Sequence, residues 1–496
     1  MYNSISTAIY QVIVMLAGFV TPRILLQFYG SEMNGLVSSI NQFITYFSLV
    51  EAGIAGAAVY SLYKPLAERD KDGVSAIVSA AKKFYIQAGW IFTLLVVAMA
   101  IIYPIFVKAT NLSFFSEIIL IIVLGAKGFL EFFTLAKYRV ILTADQKTYM
   151  ISNASSVYII IQMLIIVFLS FLRVNITLVY TMAILALFAR SFILMIYVKK
   201  HYKYINYNAK PNEKALSKRW DALFLQILQA VQTGAPVILA TIFTTLEDVS
   251  VYTVYNMILS GINGLLGIFV NGLSAGFGDV IARKEKDTLQ KTYKEFEYSY
   301  YIIITIVYTV TAIMIMPFVN LYTSGIHDAN YNRPLLGILF TLNGLLYSLK
   351  TPQGMLVISA GLYKETRLQT SIQALIIVVG GIILAPSLGL VGILIASCLS
   401  NLYRDIDLLF FIPKNVTKLP VKQTLYRMLL VIVLSLISYI PFITIFNINS
   451  NGYMQWILQA VVITLCISAV TILVNYIIDK KQFKIVLERI KSLVKL

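Results

Sequence analysis

Charge is scarce in this sequence: Asp, Glu, Lys and Arg make up only 13% of its 496 residues, against about a quarter in ordinary soluble domains. Such a chain cannot surround itself with water. Cysteine and histidine are nearly absent, at two each. Cys398 and Cys466 both lie inside apolar runs, which excludes a disulfide framework or a Cys/His metal set and leaves the redox compartment unreported. No glycine-rich phosphate loop with its Lys and Ser/Thr is present, so direct ATP hydrolysis is not expected. Acid is scarcer than base, 23 residues against 40, for a net charge of +17. The Lys and Arg fall in short clusters between apolar runs rather than along one continuous face, which argues against nucleic acid and makes them topology signals.

What is abundant is hydrocarbon: 59% of the residues are hydrophobic and the mean hydropathy is +0.80. About 20 consecutive apolar residues cross a bilayer as a helix, because a helix satisfies its own backbone hydrogen bonds there. By that rule the expected spans are 5–28, 34–63, 84–107, 113–137, 150–172, 176–199, 218–245, 250–281, 296–322, 334–359, 367–387, 389–412, 424–447 and 455–479, fourteen in all. The opening MYNSISTAIYQVIVMLAGFV lacks a basic leader and a small-residue cleavage site, and is read as a retained first helix. Alternate loops differ sharply in Lys and Arg: one side holds the clusters around Lys64–Lys83, Lys137–Lys147, Lys199–Arg219, Arg283–Lys294, Lys364 and Arg367, Lys414–Lys422 and Lys480–Lys495, the other only Lys108, Arg173 and Arg333. The basic side is expected in the cytoplasm with both termini, which requires an even number of spans.

Sliding the chain on itself by 215 residues lays LAERDKDGVSAIVSAAKKFY, from Leu66, over IARKEKDTLQKTYKEFEYSY, from Ile281, and Asn41 over Asn256. A related match sets Lys147 on Lys364. Six helices separate the copies, so the repeat is parallel, an arrangement used by alternating-access transporters. The expected organisation is a first lobe over 1–200, a cytoplasmic linker over 201–217, a second lobe over 218–412, and two added helices with a basic tail over 413–496.

The first hairpin reads TPRILLQFYGSEMNGLVSSINQFITYFSLVEAGIAGAAVYSLYKPLAERD. Its Tyr29-Gly30, Glu51-Ala52-Gly53 and Leu62-Tyr63-Lys64-Pro65-Leu66-Ala67, with the six-plus-six-plus-two plan, resemble the Wzx-type polysaccharide flippases of the multidrug/oligosaccharidyl-lipid/polysaccharide (MOP) superfamily. The resemblance covers nearly the whole chain and carries no catalytic residue. It implies a V-shaped, all-α integral membrane protein of a bacterial plasma or inner membrane, a monomer. Its implied cargo is an undecaprenyl-diphosphate-linked oligosaccharide, moved from the cytoplasmic to the outer leaflet for capsule, exopolysaccharide, O-antigen or teichoic acid synthesis. Glycosyltransferases and a polysaccharide polymerase are the implied partners besides membrane lipid, and neither cofactor nor metal is expected. A lipid II flippase and a multidrug or cation antiporter of the same superfamily remain open. A membrane glycosyltransferase or polymerase is disfavoured because the longest outer loop, about Tyr322 to Pro334, is short, and its His327, Asp328 and Arg333 read as solvated surface.

A charged side chain at mid-bilayer costs about 2.5–3.5 kcal/mol on insertion scales, so each asks for a partner, a cavity or a function. Arg23, Glu51, Lys127, Glu131, Arg190, Lys350, Arg404, Asp405 and Asp407 all fall within expected spans. Lys127 and Glu131, four apart, can neutralise each other. Lys350 and the Arg404–Asp407 group lie near a span end and can snorkel. Arg23 and Arg190 have no opposite charge within a turn, and a guanidinium matches phosphate oxygens. A diphosphate or acidic sugar chain would balance them, so Arg23, Lys127 and Arg190 are the expected cationic cavity. Glu51 has two readings, a pair for Arg23 or a proton- or cation-coupling group, and Glu131 shares the second. Asn41, Gln42, Gln226, Gln229 and Asn256, with Gln232, Asn263 and Asn271, can bond sugar hydroxyls or tie helices together.

Overall fold

The computed structural model describes residues 2–107, 109–110, 112–216, 219–444 and 450–494. Helix is the only regular structure among them. In order, the α-helices are α1 (Tyr2–Phe47), α2 (Ile54–Ala67), α3 (Lys71–Phe106), α4 (Phe114–Leu130), α5 (Ala136–Ala144), α6 (Thr148–Phe171), α7 (Ile176–His201), α8 (Arg219–Phe243), α9 (Leu246–Ala282), α10 (Lys286–Tyr322), α11 (Pro334–Leu349), α12 (Thr351–Ser359), α13 (Arg367–Leu388), α14 (Leu390–Ile412), α15 (Val421–Thr444), α16 (Tyr453–Ile478) and α17 (Lys480–Val494).

Eleven helical runs are long and apolar enough to cross a membrane. They agree with the fourteen expected spans once three features are counted. The run Tyr2–Ala67 holds two spans. The expected span 334–359 is cut at Lys350 into α11 and α12. The third, α14, is too charged to qualify because it carries Arg404, Asp405 and Asp407. The chain is therefore a multi-pass membrane protein. Lipid-facing exposure and polar burial are clearest on α6, which exposes Leu164, Phe168 and Phe171 and buries Ser152, Ser155, Ser156 and Ser170. Lipid is as apolar as leucine, so small residues, which let backbones approach, take the helix interfaces instead.

The chain forms two compact units. The first comprises residues up to Thr253 with Ile326–Ala329, the second Val254–Gly325 with Asn330–Leu496. In the first, Leu36, Ile40, Val78, Phe92 and Leu120 are fully buried in one core. Gly30 bends α1 with φ 84° and ψ 175°, a conformation open to glycine and costly for a residue with a Cβ. The next turn is capped by Asp328, whose Oδ2 accepts from the Ser31 N–H at 2.6 Å and whose Oδ1 accepts from the Ser31 hydroxyl at 2.6 Å. Asp328 is exposed, as a solvated loop residue should be, but it does the work of a helix cap. The expected continuous span 34–63 is broken by a 3-10 turn at Ser48–Glu51 and by Gly53, with φ 87°. In the second unit α10 is the centre: α11, α15 and α16 pack on it, and its buried Glu297 accepts from Tyr293, Thr424 and Arg427.

The 215-residue repeat is visible in the turns. Arg69 (φ 55°) and Lys284 (φ 59°) both end a helix in the left-handed conformation. The following amides reach back five residues alike, Asp70 N–H to Pro65 O at 2.9 Å and Glu285 N–H to Val280 O at 3.2 Å. Gln146 (φ 55°) and Gly361 (φ 69°) repeat this, with Lys147 N–H to Leu142 O at 2.7 Å and Leu362 N–H to Val357 O at 3.0 Å. A left-handed non-glycine residue costs about 1–2 kcal/mol. Its use at equivalent places supports common turn geometry rather than coincidence of hydropathy. The turn places Lys147 over Leu362, two residues short of the match with Lys364 read from sequence.

Candidate functional site

Within the first unit, α4 meets α3 across a notch: Gly125 and Gly128, three apart, leave room for Val96 and Phe92. That packing fixes the rotation of α4 and turns Lys127 to another face. There it lines a cavity of about 390 Å³ with Asn41, Thr45, Tyr158 and Gln162. The Lys127 ammonium lies 5.6 Å from the centre of the Tyr158 ring, a cation–π distance. Two expected site residues, Asn41 and Lys127, are thus brought into one chamber whose wall combines a cation with hydroxyl and amide groups.

Glu131 belongs elsewhere, contrary to its expected pairing with Lys127. Arg190 Nη1 donates to its Oε2 at 2.8 Å, and Arg139 Nη1 donates to its Oε1. Arg139 Nη2 in turn lies 3.9 Å from Glu51 Oε1. Glu51 is therefore paired with Arg139, not with Arg23 as one reading had it. The other Glu51 oxygen, Oε2, is buried without a hydrogen-bond partner. Two carboxylates and two guanidiniums balance in this network, so Arg190 needs no external anion for neutrality.

Arg139 was the missed member, assigned by its sequence to a cytoplasmic loop. It lies on α5, joined to α4 by a π-helical turn over Glu131–Leu135. In a regular α-helix residues eight apart point about 80° apart. A π turn absorbs one extra residue, which makes the spacing behave as about seven, or two turns, and sets Arg139 under Glu131. Hydropathy carries no signal for that shift.

The remaining expected residues are dispersed. Arg23 is half-buried on α1 and engaged by neighbours, so it is not a free cation. Gln42 packs against Gly234 of α8. Gln226 and Gln229 are exposed on α8 and Gln232 is half-buried. Asn256 is half-buried on α9 in the second unit, where Asn263 accepts from the Tyr308 hydroxyl at 3.0 Å. The Asn271 side chain lies outside the described residues. Lys350, Arg404 and Asp405 do not snorkel: they are 8%, 7% and 5% exposed, because the break between α11 and α12 delivers Lys350 onto Asn401 of α14 at 2.6 Å.

No family model and no curated protein matches the sequence. Solved structures do. The lipid II flippase MurJ, in an inward closed conformation, aligns over 96% of this chain and 98% of its own with TM-score 0.70 and 13% identity. An inward-facing multidrug resistance MATE transporter of the MOP superfamily aligns over 87% and 99% with TM-score 0.63 and 13% identity. The fold is that of the MOP-superfamily transporters. A further MOP superfamily transporter, from Pyrococcus furiosus and described as having a binding pocket of reverse polarity, aligns over 87% and 95% with TM-score 0.59 and 13% identity.

Proposed function

We propose that the protein is a flippase that moves an undecaprenyl-diphosphate-linked oligosaccharide from the cytoplasmic to the outer leaflet of a bacterial cell membrane by alternating access, with both termini cytoplasmic. The supporting observation is the Lys127 chamber. Its ammonium lies within electrostatic reach of Glu131 but makes no close ion pair with a carboxylate among the described residues, while hydroxyl and amide groups surround it as sugar hydroxyls would require. At about 390 Å³ the chamber has the size of a small-molecule site. It receives a headgroup portion, not the polyprenyl chain. Glu51 and Glu131, with Arg190, serve in this reading as the groups whose rearrangement couples an ion to the cycle. Glycosyltransferases supply the cargo and a polymerase consumes it.

Lipid II is the second reading, and one observation favours it over drug export: the alignment with the MurJ structure covers 96% of this chain and that with the multidrug MATE structure 87%. Cells depleted of the protein distinguish the readings. Complete, unpolymerised repeat units held in the cytoplasmic leaflet, shielded from an impermeant reagent, support the first. Accumulated lipid II moves the assignment to the second, and no accumulated glycolipid defeats both. Lys127→Ala, at parental expression and thermal stability, should lower the flipping rate at least tenfold, a loss of about 1.4 kcal/mol of interaction. An unchanged rate removes the chamber from the pathway.

A further inference from the structure

The second unit contains a buried carboxylate that nothing in the flippase reading uses. Asp405 sits on α14 and is 5% exposed. Both of its oxygens are buried with no hydrogen-bond partner. The other deep acids of this unit are committed: Glu297 to Arg427 at 2.8 Å, Glu295 to Arg489, and Asp407 to Arg404 at 2.6 Å. An idle buried carboxylate is among the most expensive groups a protein can keep. That part of the cost falls away if the group becomes a neutral acid, which leaves the Lys350 ammonium, held by Asn401 at 2.6 Å, as the one buried charge of the pair.

Its surroundings suit that change. One turn before it on the same helix face, Asn401 accepts from the Lys350 ammonium at 2.6 Å, and its amide donates to Asn343 Oδ1 at 2.8 Å. The ionisable groups acting on Asp405 from neighbouring helices are Lys350, at the junction of α11 and α12, and Tyr301 of α10. The Glu297–Arg427 pair acts on Tyr301 in turn. From α13 the cluster receives uncharged Gln373, 3.5 Å from Asn401 Oδ1. On its own helix, Arg404 is taken by Asp407. A sodium-sized cation is disfavoured here, because the Lys350 ammonium already occupies the Asn401 oxygen and would repel it. A proton has no such conflict. Lys350 is also mounted at a weak point, since Pro352 in the first turn of α12 has no N–H to continue the helix.

We propose that Asp405, with Lys350 as its compensating charge, is a proton-carrying site in the second unit. The carboxylate takes one proton from water to become the neutral acid and later returns it, so the pair alternates between net charge zero and plus one while Lys350 keeps its own proton. The assignment is independent of the cargo.

The test is infrared difference spectroscopy of the purified full-length protein in lipid nanodiscs as the pH is stepped. The parent should show the C=O stretch of a water-poor carboxylic acid that is lost on raising the pH and is missing in Asp405→Asn. In Lys350→Met, where the neighbouring cation is gone, the band should persist to a pH about 1–3 units higher. If Asp405→Asn is not recovered, Asp405→Glu must move the band to a new frequency. A carboxyl that stays ionised, or stays protonated, throughout the range in which the protein is folded overturns the proposal. So does a titrating band that survives in both Asp405 variants. Because no glycolipid enters the experiment, neither outcome depends on the flippase reading, and failure of the depletion test leaves this result standing.

Discussion

Glu131 in the first unit and Asp405 in the second are both acids planted in an apolar helix, and they meet opposite fates. Glu131 is clasped by two guanidiniums, Arg139 and Arg190. Asp405 has a lysine for a neighbour but no bond to either oxygen. The difference lies in what each helix does locally. The π turn after Glu131 rotates a second arginine beneath it, whereas α14 continues as a regular helix past Asp405 to Ile412. A clasped acid is structural until its clasp opens. An unclasped one is free to exchange a proton without breaking anything.

This contrast can be broken by substitution. Glu131→Ala leaves two half-buried cations without their shared acid and should cost about 1.5–3 kcal/mol, read as a clear drop in thermal unfolding temperature in detergent. A change below about 1 kcal/mol would mean that the guanidiniums find other partners and that the clasp is not structural. Asp328→Ala, which uncaps α1 after the Gly30 bend, should cost about 1 kcal/mol, and Asp328→Asn should recover part of it. Asp405→Asn, which removes a buried charge that has no hydrogen bond, should change stability by no more than about 1 kcal/mol in the same assay. A loss as large as that of Glu131→Ala would show that Asp405 is clasped after all.

The sequence makes the membrane class, the position of the spans and the repeat readable, because hydropathy and charge asymmetry are one-dimensional signals that survive without contacts. The repeat even announces its turns: the Glu68-Arg69-Asp70 and Lys284-Glu285 segments that align at 215 residues are where both left-handed residues fall. Pairing partners are another matter. Glu131 looks four residues back to Lys127 under helical periodicity, and the π turn reassigns it to a residue eight ahead. Glu51 looks to Arg23 across a hairpin that sequence renders as two unbroken helices, and the breaks at Gly30 and Gly53 undo that inference. Lys350 looked able to reach water because the interruption between α11 and α12 is invisible in an apolar run of that length. Each miss follows from a local departure from regular helix, a geometry that composition does not encode. Among the expected site residues, the structure gathers Asn41 and Lys127 in one chamber and Glu51, Glu131 and Arg190 in one ion network.

The π turn over Glu131–Leu135 also makes the helix unusually forgiving of shortening. A residue removed from an ordinary transmembrane helix swings everything after it by about 100° and sends lipid-facing groups inward. Removed here, it would let the widened turn relax into a plain α-helix with no backbone hydrogen bond lost, the bulge having held one residue in surplus. The length of this segment can therefore drift by one residue while the span survives, and the alignment of Arg139 with Glu131 survives with it, because seven residues of plain α-helix also make about two turns. Two proteins of this plan could share every span and the clasp itself and differ only in whether that surplus residue is present.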